Sequence, residues 1–241
     1  MSNERHILDT VAAALERETM VNLHAFPLML EFDNGVLTME GEVEHIMAKK
    51  RALEVAAALP GVGRIVDRLR LIANGRMQDG EIRDHVCNAL LAENLLGSCA
   101  IWAIVKGKPE VVRETDQGME GSIDVEVNDG VVVLNGAVPS LSAKRLAGVL
   151  AWWVPGSRDV INGIEVSPPE EDNDDEVTDA VRLVLEKDPF VNADQLRVGV
   201  RNAVVALDGI VPTKHERDMA EHDAWYVFGV EDVINRLEVE R

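Results

Sequence analysis

GVVVLNGAV, residues 130–138, and WVPGSRDVINGIEV, residues 153–166, form the passage on which the fold turns, because the chain writes it three times. GVLTMEGEV (35–43) with ALPGVGRIVDRLRL (58–71), and AVVALDGIV (203–211) with YVFGVEDVINRLEV (226–239), align with it without gaps. The pairs Gly41 and Gly61, Gly136 and Gly156, and Gly209 and Gly229 are each 20 residues apart. Apolar residues then recur at four fixed offsets: Ile65, Val66, Leu69, Leu71; Val160, Ile161, Ile164, Val166; Val233, Ile234, Leu237, Val239. Self-similarity at fixed spacing marks one supersecondary unit used three times.

Each unit reads as helix, strand, strand, helix, strand. Leu28, Leu30 and Phe32 alternate with other residues, as do Ile123, Val125, Val127 and Leu196, Val198, Val200, which is the period of a strand with one buried face. Turn pairs Asn34-Gly35, Asp129-Gly130 and Asn202-Ala203 lead into β-branched runs, predicting hairpins. The stretches 44–59, 139–154 and 212–227 have helix length, and Pro139 and Pro212 suit a first helical turn. Ala52, Val55, Ala56, Leu59 and Ala147, Leu150, Ala151, Val154 form their apolar stripes. Earlier amphipathic helices are predicted over 5–18, 81–93 and 175–187. The fold class is therefore α+β, an α/β sandwich of three units at 1–73, 79–168 and 174–241, each with two helices on a mixed three-stranded sheet. The second unit carries an insertion at about 95–121, in which Ile101, Ala103, Val105 and then Val111, Val112 flank the turn-like Lys106-Gly107-Lys108-Pro109 and predict an extra hairpin.

This pattern, a GVVVLNGAV strand, a helix with core-facing alanines, then PG or FG and V-I-N-x-(I/L)-x-V, resembles the BON domain, named for bacterial osmotically inducible and nodulation proteins. All six family-pattern glycines, Gly41, Gly61, Gly136, Gly156, Gly209 and Gly229, are present. The resemblance implies a non-enzymatic role, usually in envelope integrity, osmotic stress or attachment to phospholipid. A cytosolic BON-containing family is associated with potassium binding.

The composition narrows the partners. Twenty-four basic against 43 acidic residues give a formal net charge of -19, which repels nucleic acid and anionic membranes at long range. The N-terminus lacks a basic segment before an apolar core, and no run approaches a spanning length, so the expected location is cytoplasmic. Cys87 and Cys99, twelve apart, suit buried free thiols. Gly61-Val62-Gly63 and Lys106-Gly107-Lys108 lack the context of a phosphate loop. His215 and His222 lack close-spaced companions for a metal, and no nucleophile–base pair is identifiable. No cofactor, metal or catalytic residue is expected.

Two surfaces remain. Trp152, Trp153, Trp225 and Tyr226 occupy one repeated slot, where the first unit has Ala57 and Ala58. At about 100° per residue, Trp152 and Trp225 point away from the core stripe, so these rings should meet another surface, either between units two and three or on a partner protein. Lys49, Lys144 and Arg217 share one offset in the second helices, and Lys49-Lys50-Arg51 forms a cluster. A structural ion pair and an anion or lipid-headgroup contact are both open for them. The acidic run SPPEEDNDDE, 167–176, reads as a spacer and helix cap, with a cation-attracting or docking segment as the alternative. A binding or adaptor protein working through protein contacts or self-association is the leading expectation. Weak membrane-surface contact and cation sensing are the alternatives.

Overall fold

The computed structural model describes residues 2–72, 75, 77–114 and 120–240. Residues 73, 74 and 76, within IANGRMQDG (72–80), whose glycine and polar content predicts a linker, and 115–119 of the expected insertion lie outside them. The chain forms two compact units, Met1–Ile72 and Ala73–Arg241.

The first unit is a single module: α1 (Ser2–Arg17), β1 (Met29–Asp33), β2 (Val36–Val43), α2 (Ile46–Ala57) and β3 (Arg64–Leu71). β1 and β2 are antiparallel, joined through Asn34 (φ 49°) and Gly35 (φ 83°), the left-handed pair of a tight hairpin turn. β3 returns after α2 to lie parallel to β2, as a strand–helix–strand connection permits. Both helices cover one face of the sheet, and Val11, Leu15, Leu37, Met39, Ala52, Ala56 and Leu69 fill the space between. Each large apolar side chain buried there stabilises by roughly 1.5–3 kcal/mol. Alanines on α2 bring the helix backbone close to the sheet.

The second unit holds two such modules. Module two has α3 (Asp79–Ala92), β4 (Cys99–Val105), β5 (Lys108–Arg113), β6 (Gly121–Asn128), β7 (Val131–Val138), α4 (Leu141–Trp153), β8 (Asp159–Asn162) and β9 (Glu165–Val166). Module three has α5 (Asp174–Lys187), β10 (Leu196–Arg201), β11 (Val204–Val211), α6 (Lys214–Tyr226) and β12 (Asp232–Val239). The three sheets are mixed, of three, six and three strands, in an α+β fold. The extra hairpin is present: β4 and β5 pair antiparallel around Lys106 (φ 51°) and Gly107 (φ 74°), and β4 joins β6 in parallel. The sheet order is thus β5-β4-β6-β7-β8, with β9 continuing on β7 after a break at Gly163.

One detail differs from expectation, and the last strands add another. Pro139 and Pro212 precede the caps rather than opening the helices: Ser140 and Thr213 accept from Ala143 N and Glu216 N, and a proline inside the cap would displace them. Ile161 and Ile234 face outward, 49% and 42% exposed, because Val160 and Val233 take the inner side of the alternation.

The repeated glycines have distinct causes. Gly136 (φ 118°) and Gly209 (φ 150°) lie where the neighbouring strand crosses so closely that a Cβ would strike the carbonyl oxygens of Ser122 and Gln195. Gly156 (φ 94°) sits against the first helix of its module, where a Cβ would fall 3.0 Å from Ile82 Cδ1.

Candidate functional site

The aromatic slot lies at the contact between modules two and three. α4 packs against both α5 and α6. The rings of Trp152 and Tyr226 stack at 5.5 Å between centroids, 22° from parallel. One residue on, Trp153 Nε1 donates to Asp223 Oδ1 at 2.8 Å, from α4 to α6. Trp225 is fully buried. Ala147, Ala151, Ala220 and Ala224 are buried on the core stripes of α4 and α6, and Trp152 and Trp225 follow Ala151 and Ala224 by about 100° around each helix.

Arg145 on α4 anchors the same contact. It is 1% exposed, its Nε donates to Phe228 O at 2.9 Å, and its Nη2 meets Asp172 Oδ1 at 2.6 Å. The guanidinium lies against Gly229, where a Cβ would come within 3.2 Å of Nη2, so the turn glycine of module three makes room for a side chain of module two. Sequence reading passed over Arg145. The repeat pointed to positions shared by all modules, whereas the equivalents of Arg145 are Lys50 and Asp218. At the far end, Lys187 Nζ reaches Glu93 Oε2 at 2.7 Å.

Asp223 has no exposure and Asp188, at the end of α5, has 5%. Burial, then the hydrogen bond and charge of Asp188, push the Asp223 carboxyl up to about 8, with the Trp153 N–H acting in the opposite direction. Burial and the Asp223 charge likewise raise the Tyr226 hydroxyl to about 12.

The shared basic positions do not form a common surface. Lys49 is buried, its Nζ donating to Leu69 O at 2.8 Å and pairing with Asp67 Oδ2 at 2.9 Å. Arg51 pairs with Glu54 and Glu18, and Lys50 is half-buried with an interaction of its own. Lys144 Nζ stands 5.3 Å from the centroid of Phe228, a cation–π contact joining modules two and three. Arg217 is half-buried on α6. Of the two readings left open for this cluster, Lys49 and Arg51 make ion pairs within module one, because Asp67 and Glu18 lie within reach of their long side chains.

The acidic run is similarly occupied. Glu170 Oε2 accepts from Leu141 N at 2.7 Å, Asp172 faces Arg145, and Asn173 caps α5. Asp174 accepts from Asn202 N and Ala203 N at 2.7 and 3.0 Å, and these bonds hold its carboxyl below the usual range. Asp79 makes the same clamp in module two, on Asp129 N and Gly130 N, both at 2.9 Å. Sequence reading did not single out this repeated aspartate, although it opens both helices three residues before an apolar residue. The last-strand asparagines were also more than motif letters: Asn162 and Asn235 donate to Lys144 O and Arg217 O, tying strand to helix.

Both cysteines are free and buried, and burial raises the Cys87 thiol to about 11. Among the described residues no group of three or more His, Cys, Asp or Glu is placed to hold a metal ion, His215 and His222 included. No helix among them is long and apolar enough to cross a membrane.

Comparisons with known proteins agree with the repeat. No curated protein matches the chain. Two solved structures of CdsD, a structural protein of the type III secretion system of Chlamydia trachomatis, align with it at 14% identity. One, of the C-terminal domain, covers 96% of each chain with a TM-score of 0.26; the other covers 98% of this chain and 92% of its own with a TM-score of 0.25. The BON domain model matches residues 3–73, 110–168 and 173–241, and its second match begins within the hairpin insertion. With three copies of the fold and all six pattern glycines in place, the chain belongs to the BON domain family.

Proposed function

We propose that this BON chain is a non-enzymatic binding scaffold that works through protein–protein contacts. The observation that carries the reading is the contact of module two with module three. It combines stacked aromatics, a buried arginine on a turn carbonyl and a capped indole, the residue types that anchor protein interfaces. The helical layers of modules two and three engage each other in this way, while the outer faces of the sheets keep Ile161, Ile210 and Ile234 exposed for a protein partner.

Attachment to phospholipid is less well supported. The net charge of -19 opposes anionic membranes, and Lys49 and Arg51 are engaged within module one. The test is affinity capture and cross-linking from native lysate with the wild-type chain and with the double variant Ile210→Glu, Ile234→Glu. A saturable protein complex with the wild type, lost in the variant, is expected. Co-sedimentation with anionic vesicles at low salt, in the absence of any specific protein complex, would overturn the reading.

A further inference from the structure

The carboxyl pair Asp188 and Asp223 is the feature that the packing of the modules leaves over. Asp188 Oδ1 accepts from Phe190 N at 2.8 Å and Asp223 Oδ1 accepts from Trp153 Nε1 at 2.8 Å. The second oxygen of each, Oδ2, is buried without a hydrogen-bond donor, and Asp188 stands close enough to act directly on the Asp223 carboxyl. Two negative charges in so dry a site repel strongly, and a proton on one carboxyl removes that repulsion and supplies the missing donor.

The surrounding charges are directed elsewhere. On α5, Lys187 reaches Glu93; on α4, Arg145 is taken by Phe228 O and Asp172. On α6, Glu216 accepts from Asn192 N, Tyr226 stacks on Trp152, and His222 is the chain neighbour of Asp223 with an interaction of its own. The group that module two contributes directly to Asp223 is the Trp153 indole, which covers it and hydrogen-bonds to it.

We propose that the docking of module two onto module three is coupled to one proton held between Asp188 and Asp223, so that the contact is closed while the pair keeps the proton and loosens when it leaves. The carboxyl of Asp223 is raised from an ordinary value of 3.8 to about 8 in the closed form. A raised carboxyl binds a proton that the open or unfolded form releases, so the proton's contribution to closure is complete below the ordinary value of 3.8 and is lost as pH rises from there through about 8. The chain would then sense rising pH at a joint rather than at a surface site.

The test is nuclear magnetic resonance of the full chain from roughly pH 5 to 10, following the Trp153 indole N–H, assigned with Trp153→Phe. In the wild type the resonance should titrate with a midpoint near 8, and its hydrogen exchange should accelerate, by up to about tenfold per pH unit beyond the intrinsic pH effect, as pH rises towards that midpoint and level off above it. In Asp188→Asn the side-chain amide supplies the donor without a proton to lose, so the titration near 8 should vanish and protection should persist. His222 is retained in that variant, so a transition belonging to the imidazole would survive it. If Asp188→Asn fails to fold by circular dichroism, Asp223→Asn is used, whose amide oxygen still accepts from Trp153. A wild-type resonance that does not move near pH 8, or one that moves identically in the asparagine variant, overturns the proposal.

Discussion

Module one and module two share a fold but differ at the surface of their helices, and the difference is confined to a few positions. Where module two has Trp152 and Trp153, module one has Ala57 and Ala58, both exposed; where module two has Arg145, module one has Lys50. The residue after the first helix shows the same divergence. Glu18 is satisfied inside module one by Arg51, with Met20 N also donating, and these bonds outweigh burial to hold its carboxyl below the usual range. Its counterpart Glu93 is met by Lys187 of module three, and Asp188 by Asp223. One scaffold position thus serves a module's own stability in module one, a joint in module two, and in module three lies beside the carboxyl that takes the Trp153 indole of module two. Shared positions build the module, and unshared ones join it to a neighbour.

The comparison can be tested first at the glycines. Gly136→Ala should cost about 3 kcal/mol or more, since the new Cβ meets the Ser122 carbonyl and the backbone must give way at a positive φ. Gly41→Ala should cost distinctly less, because its nearest neighbour is Leu28 Cδ2 at 2.9 Å, the end of a side chain that can turn. Urea unfolding of both variants measures the gap, and equal losses would show that the strand crossing is not tighter in module two.

Asp172→Ala removes the counter-charge of a guanidinium that has no exposure and should destabilise the Ala73–Arg241 unit by about 2–3 kcal/mol. Lys50→Ala, the counterpart of an Arg145 truncation, should change stability by less than about 1 kcal/mol. Two separately resolved thermal transitions would allow both to be read in one chain. Trp153→Phe keeps the ring but removes the donor to Asp223, with an expected loss of about 1–2 kcal/mol at neutral pH.

The smallest effect is a gain. Ala203 holds φ 61° where the other hairpins have glycine, so Ala203→Gly should stabilise by about 1 kcal/mol, while Gly130→Ala should destabilise because Gly156 O and Arg158 stand 2.9 Å from the new Cβ. The clamp on that turn also has a pH signature. Asp174 has its carboxyl lowered by the Ala203 and Asn202 N–H groups, so its contribution is complete above 3.8 and is lost as pH falls below that value. Asp174→Asn should flatten that acid limb in a pH series of melting temperatures.

The fold was legible because its constraints act locally and recur. Glycine spacing, the alternation in the first strands and the Asn34-Gly35 and Asp129-Gly130 turns each follow from backbone geometry that any copy must satisfy. The aromatic slot was legible as a repeated position, since Trp152 and Trp225, and Trp153 and Tyr226, follow the paired glycines at equal spacing. What the repeat concealed was the identity of the partners. Arg145 was passed over because the residue at its offset differs in every module, and the ion pair left open for Lys49 had no named partner because nothing in the sequence singles out Asp67 as the acid beside it. Asp223 shows the limit most clearly: it reads as one acid among 43, and only burial against Trp153 and Asp188 makes it distinct.

The β4–β5 hairpin has a consequence for engineering. It enters between the first helix and the first strand, and β6, β7 and α4 keep the pairing and register of their counterparts in module three. That junction is thus a natural grafting point, where the architecture has already absorbed foreign chain. In module three it is occupied by Asp188 and by the bond from Asn192 to Glu216, so a graft there would disturb the joint. In module one the corresponding stretch around Leu23–Phe26 has His24 and Ala25 exposed, and a reporter loop spliced in there should leave the helices and sheet on either side as they are.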